Sequence, residues 1–250
     1  MIWFVLLAGF LAGFGVLFWY VVAAPASQVL GKTLVCGAPS DAKALDGMPS
    51  EDLAQDGPPD SGKIALTFDD GPGEATPLVL DMLQQAGIRA TFFLCGENVE
   101  RYPEYSRRIA EEGHEIGNHT YSHPRLLWRT PGKIAWEIER AQKIIAHRTG
   151  RKPTLFRPPY GLRWFGLFPI LARNGLTAVM WSVNSFDWKL PVEEIVRRVL
   201  RGVRPGAIVL FHDGVPPRKS GDRKATVAAL GELLPELGPK YRFVKVSEMP

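Results

Sequence analysis

Cysteine is scarce in this chain: Cys36 and Cys95 are the only two in 250 residues. That excludes a disulfide-dense scaffold and a four-cysteine zinc site. One disulfide stays open, but Cys95 closes the apolar run that begins at Ala90, where a small buried thiol is the simpler reading. Charge of one sign is scarce too. Thirty basic residues against 26 acidic ones leave +4, and no basic run with interleaved aromatics occurs. Nucleic acid is therefore not an expected partner. No internal repeat is present. Histidine is sparse as well, with five in the whole chain. What remains is a globular composition, 46% apolar and 22% charged, long enough for one domain with a sizeable core plus an extra segment.

The extra segment is N-terminal. Ile2 to Ala24 is uncharged for 23 consecutive residues, and a helix needs about 20 apolar residues to cross a bilayer core. Trp3 and Phe4 lie near one end and Trp19 and Tyr20 near the other, about 24 Å apart at 1.5 Å per residue. That is the spacing of interfacial aromatic belts. The run predicts a transmembrane anchor over residues 1–24, with the domain that follows it outside the cytoplasm. A secretory signal is the alternative, because Val22, Ala23 and Ala24 resemble a small-residue cleavage site. Lys32 and Lys43, just after the run, lean the other way on orientation, toward a cytoplasmic domain.

Residues 25–62 are rich in Ala, Gly, Pro, Asp and Ser and read as a linker, with one short strand at Thr33 to Cys36. From Lys63 to Pro250 the pattern changes. Short apolar runs, as at Ile64 to Phe68, Ala90 to Leu94 and Ala207 to Phe211, alternate with segments of helical periodicity, as at Pro131 to His147 and Lys224 to Glu236. Such alternation predicts an α/β fold with parallel strands. The polar residues of chemical interest fall just after strands, the edge where parallel α/β folds build their sites.

Five segments could carry chemistry. Asp69 and Asp70 sit side by side at the end of the first strong strand. Side chains alternate along a strand, so the two carboxylates are expected to leave in different directions, one to bind a cation and one to stay free as a base. By itself an Asp-Asp-Gly-Pro is more often a turn. His119 and His123 lie four residues apart ahead of Pro124, a separation that lets two imidazoles face one point. With Asp70 they give two nitrogens and one oxygen and leave a position open for water, the pattern of a catalytic metal site. His212 ends a late buried strand, where an imidazole can serve as general acid or simply cap the strand. Arg157 and Tyr160 flank a rigid Pro-Pro turn, and Asp187 and Trp188 follow another strand. His114 and His147 are assigned to structure.

In order and spacing these segments resemble the polysaccharide deacetylases with a NodB-homology domain (carbohydrate esterase family four), from about Lys63 to Val246. The resemblance implies a distorted (β/α) barrel of parallel strands and one divalent metal ion, zinc first, with cobalt or nickel as alternatives. It implies Asp70, His119 and His123 as metal ligands, Asp69 as catalytic base and His212 as general acid. Arg157 would hold the base, and Asp187 would tune its Arg and His partners. The Tyr160 amide would bind the oxyanion, Trp188 would wall the site, and Leu210 would shape the acetyl-methyl pocket. The implied substrate is an N-acetylated polysaccharide or oligosaccharide of the cell envelope, peptidoglycan or chitin-like. An O-deacetylase of acetylated xylan and a non-catalytic glycan-binding protein are the other readings. One departure stands out: Asn184 occupies a position where the family often has Asp.

Overall fold

The structure is a computed structural model that describes residues 16–24, 27–28, 30–35 and 62–249. Among the described residues, nine strands form a single sheet in which every pairing is parallel. They are β1 (Thr33–Leu34), β2 (Lys63–Asp69), β3 (Thr91–Leu94), β4 (Glu115–Asn118), β5 (Leu155–Phe156), β6 (Thr177–Val179), β7 (Val183–Asn184), β8 (Ile208–His212) and β9 (Arg242–Phe243). The order is β1-β6-β5-β4-β3-β2-β8-β7, with β9 on β2. The two ends of this path do not pair, so the expected barrel is a distorted, open half-barrel.

Strand β2 sits at the centre and shows how the sequence builds the layers. Its residues are buried on both faces, which requires a near-continuous apolar run. Ile64, Leu66 and Phe68 face the outer layer, where Phe68 stacks between Phe92 at 5.0 Å and Phe211 at 5.9 Å. Ala65 faces the inner side with Phe93, Val179 and Ile208. The period of two leaves Thr67 and Asp69 on that inner side, where the buried Arg157 side chain reaches both.

Helices α2 (Thr76–Gln85), α3 (Gly96–Arg101), α4 (Pro103–Glu111), α5 (Pro131–Thr149), α6 (Leu167–Asn174), α7 (Val192–Gly202) and α8 (Lys224–Leu237) accompany the sheet. α5 shows the local code clearly. Thr130 caps its start by accepting from the Lys133 amide, Pro131 occupies the first turn, and Gly150 ends it in the left-handed region. Ile134, Ile138, Ala141 and Ile145 recur at helical spacing and form its buried face. α6 starts at Leu167, directly after Gly166, which sits in the left-handed region at φ 82°. Two elements escape a sequence reading, α3 and β7. Six and two residues are too few to show a period.

The N-terminal segment differs most from expectation. Residues 16–23 are helical (α1) and lie against the domain. Phe18 stacks on Trp128 at 5.9 Å and meets Trp164 edge-on, and Val22 is buried. The buried Arg163 ties this segment down: its amide donates to the Val22 carbonyl, and its guanidinium donates to the carbonyls of Ala24 and Ser27. Among the described residues, no helix is long and apolar enough to cross a membrane. Residues 1–15 of the expected span lie outside the described residues. The short strand expected at Thr33 to Cys36 appears as β1, paired with β6 on the sheet edge. Residues 36–61 of the expected linker, Cys36 among them, also lie outside the described residues.

Candidate metal centre and active site

The register of the sheet brings the strand ends together. Asp69 on β2 lies opposite His212 on β8 and Phe93 on β3, and Asn118 on β4 lies opposite Phe156 on β5. The residues that follow these ends, Asp70, His119 and Arg157, therefore emerge at one edge.

The two adjacent aspartates do not diverge as strand alternation predicts. Asp70 is the first residue past β2 and adopts φ 66°, in the left-handed region. The turn brings both carboxylates to the same imidazole: His119 Nε2 lies 3.7 Å from Asp69 Oδ2 and 3.5 Å from Asp70 Oδ1. His123 Nε2 lies 3.0 Å from Asp70 Oδ1. Asn98, from α3, holds the turn by donating to the Asp70 carbonyl at 2.7 Å.

The segment joining the two histidines is a loop with Thr120 and His123 at positive φ, not a helical turn. Its shape is imposed from α5. The buried carboxylate of Glu137 accepts from the amides of Tyr121 and Ser122 and from the Ser122 hydroxyl. Asn118 accepts from the Thr120 amide.

Asp70, His119 and His123 each offer one ligand atom, and these atoms lie within 4.8 Å of one another. Three features of the site fit a divalent cation. Asp70 Oδ1 is buried without a hydrogen-bond partner. The Nδ1 of His119 lies 2.7 Å from the Arg157 carbonyl, so it carries the proton and leaves the Nε2 lone pair facing the cluster. Burial lowers the His123 pKa, and Asp70 only partly opposes this, which favours the neutral imidazole that a metal needs. Asp70 itself stays ionised. Burial works against its charge, but His123 and His119 hold its carboxyl well below the usual range.

Asp69 is fixed from its other side. The wholly buried Arg157 donates to Asp69 Oδ1 at 2.8 Å, to Thr67 Oγ1 at 2.7 Å and to the Met180 carbonyl at 2.9 Å. Its guanidinium lies 4.1 Å from the Phe93 ring centroid. Thr67 is one of the polar residues that the period of β2 leaves on the inner face.

On the far side stands His212. Its Nδ1 lies 2.7 Å from Asp187 Oδ1, and its amide donates to Asp187 Oδ2 at 2.8 Å. Thr226, from α8, donates to the same Oδ2 at 2.7 Å. Burial alone would depress the His212 pKa, but Asp187, with Asp70 and Asp69 behind it, pushes it up to about 9. The Trp188 ring meets the His212 ring edge-on at 4.9 Å. Tyr160, at φ 58°, sets its ring 4.7 Å from that of His123. Leu210 is buried on β8 between Thr67 and Asn184. Asn184 stands beside the site, where its side-chain oxygen accepts from the Phe186 amide.

The residues picked out from the sequence thus converge, and the histidines set aside stay apart. His114 Nδ1 accepts from the Ala90 amide, and its burial lowers its pKa to about 4. Cys95 is a buried free thiol. Glu137, Thr226 and Asn98 carried no sequence signal, because each acts on a partner distant in the chain. Arg223 is a further addition, with Nη2 4.0 Å from Asp70 Oδ2.

The polysaccharide deacetylase family model matches residues 56–179, a stretch that contains Asp69, Asp70, His119, His123, Arg157 and Tyr160. A peptidoglycan-N-acetylglucosamine deacetylase of Bacillus cereus is 39% identical over 202 residues, 77% of this chain and 70% of that protein. The chain belongs to the polysaccharide deacetylase family. A chitooligosaccharide deacetylase of Bradyrhizobium is 43% identical over 183 residues, 70% of this chain and 84% of that protein. The crystal structure of the Bc1960 peptidoglycan N-acetylglucosamine deacetylase superposes with a TM-score of 0.72 at 39% identity. That match covers 77% of this chain and 90% of the other. Asp187, Trp188, Leu210 and His212 lie beyond the stretch matched by the family model.

Proposed function

We propose that this deacetylase hydrolyses the N-acetyl amide of N-acetylglucosamine-type residues in a cell-envelope glycan, peptidoglycan first, and releases acetate. One observation carries the reading. A three-ligand cluster with an unpartnered Asp70 oxygen is flanked by a carboxylate locked to Arg157 and by an imidazole locked to Asp187. Amide hydrolysis needs this set of parts: an electrophile, a base and an acid, each held separately.

Asp70, His119 and His123 would hold a divalent ion, zinc first. When bound, it supplies Lewis-acid polarisation of the amide carbonyl and lowers the pKa of water. Asp69, with Oδ1 occupied by Arg157, presents Oδ2 to the cluster and takes the proton from the attacking water. Tyr160 offers its amide to the developing oxyanion. His212, protonated through neutral pH, donates to the departing amine nitrogen. Trp188 walls the sugar side, and Leu210 shapes the pocket for the acetyl methyl.

The uncharged run from Ile2 to Ala24 supports an extracytoplasmic placement, either anchored or secreted after cleavage. Cell fractionation together with N-terminal sequencing of the mature protein separates the two. The activity is tested by acetate release from N-acetylglucosamine oligomers and peptidoglycan, with and without chelator. Release confined to acetylxylan would make the protein an O-deacetylase. Binding without release from any glycan would make it a lectin-like relative.

A further inference from the structure

A second cavity, of about 660 Å³, adjoins the metal cluster, between the start of α2, the α3–α4 junction and the loop joining β8 to α8. It shares walls with the active site. Asn98 lines it and holds the Asp70 carbonyl, and Lys219 lines it and donates to the Tyr160 hydroxyl at 3.0 Å. Its charge is lopsided. Arg101, Arg218, Lys219, Arg223 and Lys224 face Glu74, Asp222 and Asp213. The last of these carries only part of its charge at neutral pH, because burial pushes the Asp213 carboxyl up to about 7. Leu78, Val215 and Val227 supply an apolar side.

Some of these cations are engaged. Arg218 Nε lies 2.9 Å from Glu97, and Lys224 lies 3.5 Å from Asp222. Arg101 has no carboxylate within ion-pair distance among the described residues, only the Tyr102 ring at 5.1 Å. Arg223 is the decisive group. Its side chain is nine-tenths buried, Nη1 donates to the Asp222 carbonyl at 2.9 Å, and Nε has no acceptor. A buried guanidinium with an idle N–H, among surplus cations and an apolar wall, matches a carboxylate on a short organic stem.

We propose that this cavity receives a carboxylate carried by the sugar next to the one being deacetylated, a lactyl-ether acid or the start of an acidic peptide. The enzyme then prefers acid-substituted glycans over uncharged chitin-type oligomers. This inference rests on the deacetylase reading and names its substrate class.

The test uses the full chain and three ligands of equal sugar count: an N-acetylglucosamine oligomer, a lactyl-bearing peptidoglycan fragment, and the same fragment with its carboxyl amidated. The acidic fragment should bind, by calorimetry, about tenfold tighter than its amide, the scale of one charge-assisted hydrogen bond. Arg101→Gln with Lys224→Gln should reduce that preference and leave kcat/KM for the uncharged oligomer unchanged. Arg223 Nη2 also lies 4.0 Å from Asp70 Oδ2, so Arg223→Gln should weaken the acidic fragment more than the uncharged oligomer. Equal binding of acid and amide, or an equal loss on all three ligands, would overturn the proposal. Charge-dependent binding without acetate release from any ligand would keep the cavity's role and remove the deacetylase reading instead.

Discussion

Arg157 and Asp69 form a wholly buried ion pair, Nη1 to Oδ1 at 2.8 Å, between the end of β2 and the residue just past β5. The guanidinium is also held by Thr67 and the Met180 carbonyl, so its fork has no freedom to follow a displaced carboxylate. Lysine offers one point charge where arginine offers a fixed fork. Arg157→Lys should therefore keep metal affinity and lower kcat by about tenfold to a hundredfold, since the base loses its aim. Steady-state kinetics beside zinc titration check this. A loss of metal affinity equal to the loss of kcat would show that the pair serves the ligands instead.

The Asp187–His212 pair predicts a pH profile. Asp187 is the main upward push on His212, which stays charged through neutral pH and releases its proton near 9. Activity should fall on the alkaline side as that proton is lost. Asp187→Asn removes the push, so the alkaline limb should move to lower pH. An unmoved limb would mean that another group titrates. The pair also stabilises the fold. That contribution is complete below the ordinary histidine pKa of about 6.5 and fades as pH rises through about 9.

Asp70→Asn should abolish high-affinity zinc binding, because the amide replaces the anionic oxygen that lies 3.0 Å from His123. In wild-type protein, zinc should raise the melting temperature by mass action, since the ligands converge only in the folded chain. Asp70→Asn should lose that rise. Calorimetry and thermal unfolding with chelator read both effects.

Removing residues 1–62 strips away Phe18, Val22 and the carbonyls that Arg163 uses. Trp128 and Trp164 lose packed apolar cover, and Arg163 loses its fixed acceptors. The truncated domain should melt several degrees lower than a chain beginning at residue 16. Equal melting temperatures would show that α1 and β1 are not part of the folded unit.

The strand and helix order was legible because buried parallel strands and amphipathic helices have different periods, and the ends of β2, β4 and β8 announce the site with Asp69, His119 and His212. Three things were not legible. An apolar run such as residues 2–24 reads alike whether it spans a bilayer or docks its end on Trp128 and Trp164. The alternation that separates neighbouring strand side chains stops where the strand stops, so the left-handed turn at Asp70 was invisible. Glu137, Thr226 and Arg223 act across long sequence separations, and residue type alone does not mark such contacts.

In the proposed reaction a metal held by Asp70, His119 and His123 and a base at Asp69 together remove acetyl groups. The most direct test measures zinc affinity and acetate release side by side in wild type and Asp69→Asn. Asp69→Asn should leave zinc affinity unchanged and reduce acetate release by at least about a hundredfold. Acetate release that stays near the wild-type level in Asp69→Asn, or that persists after the metal is stripped, would contradict it.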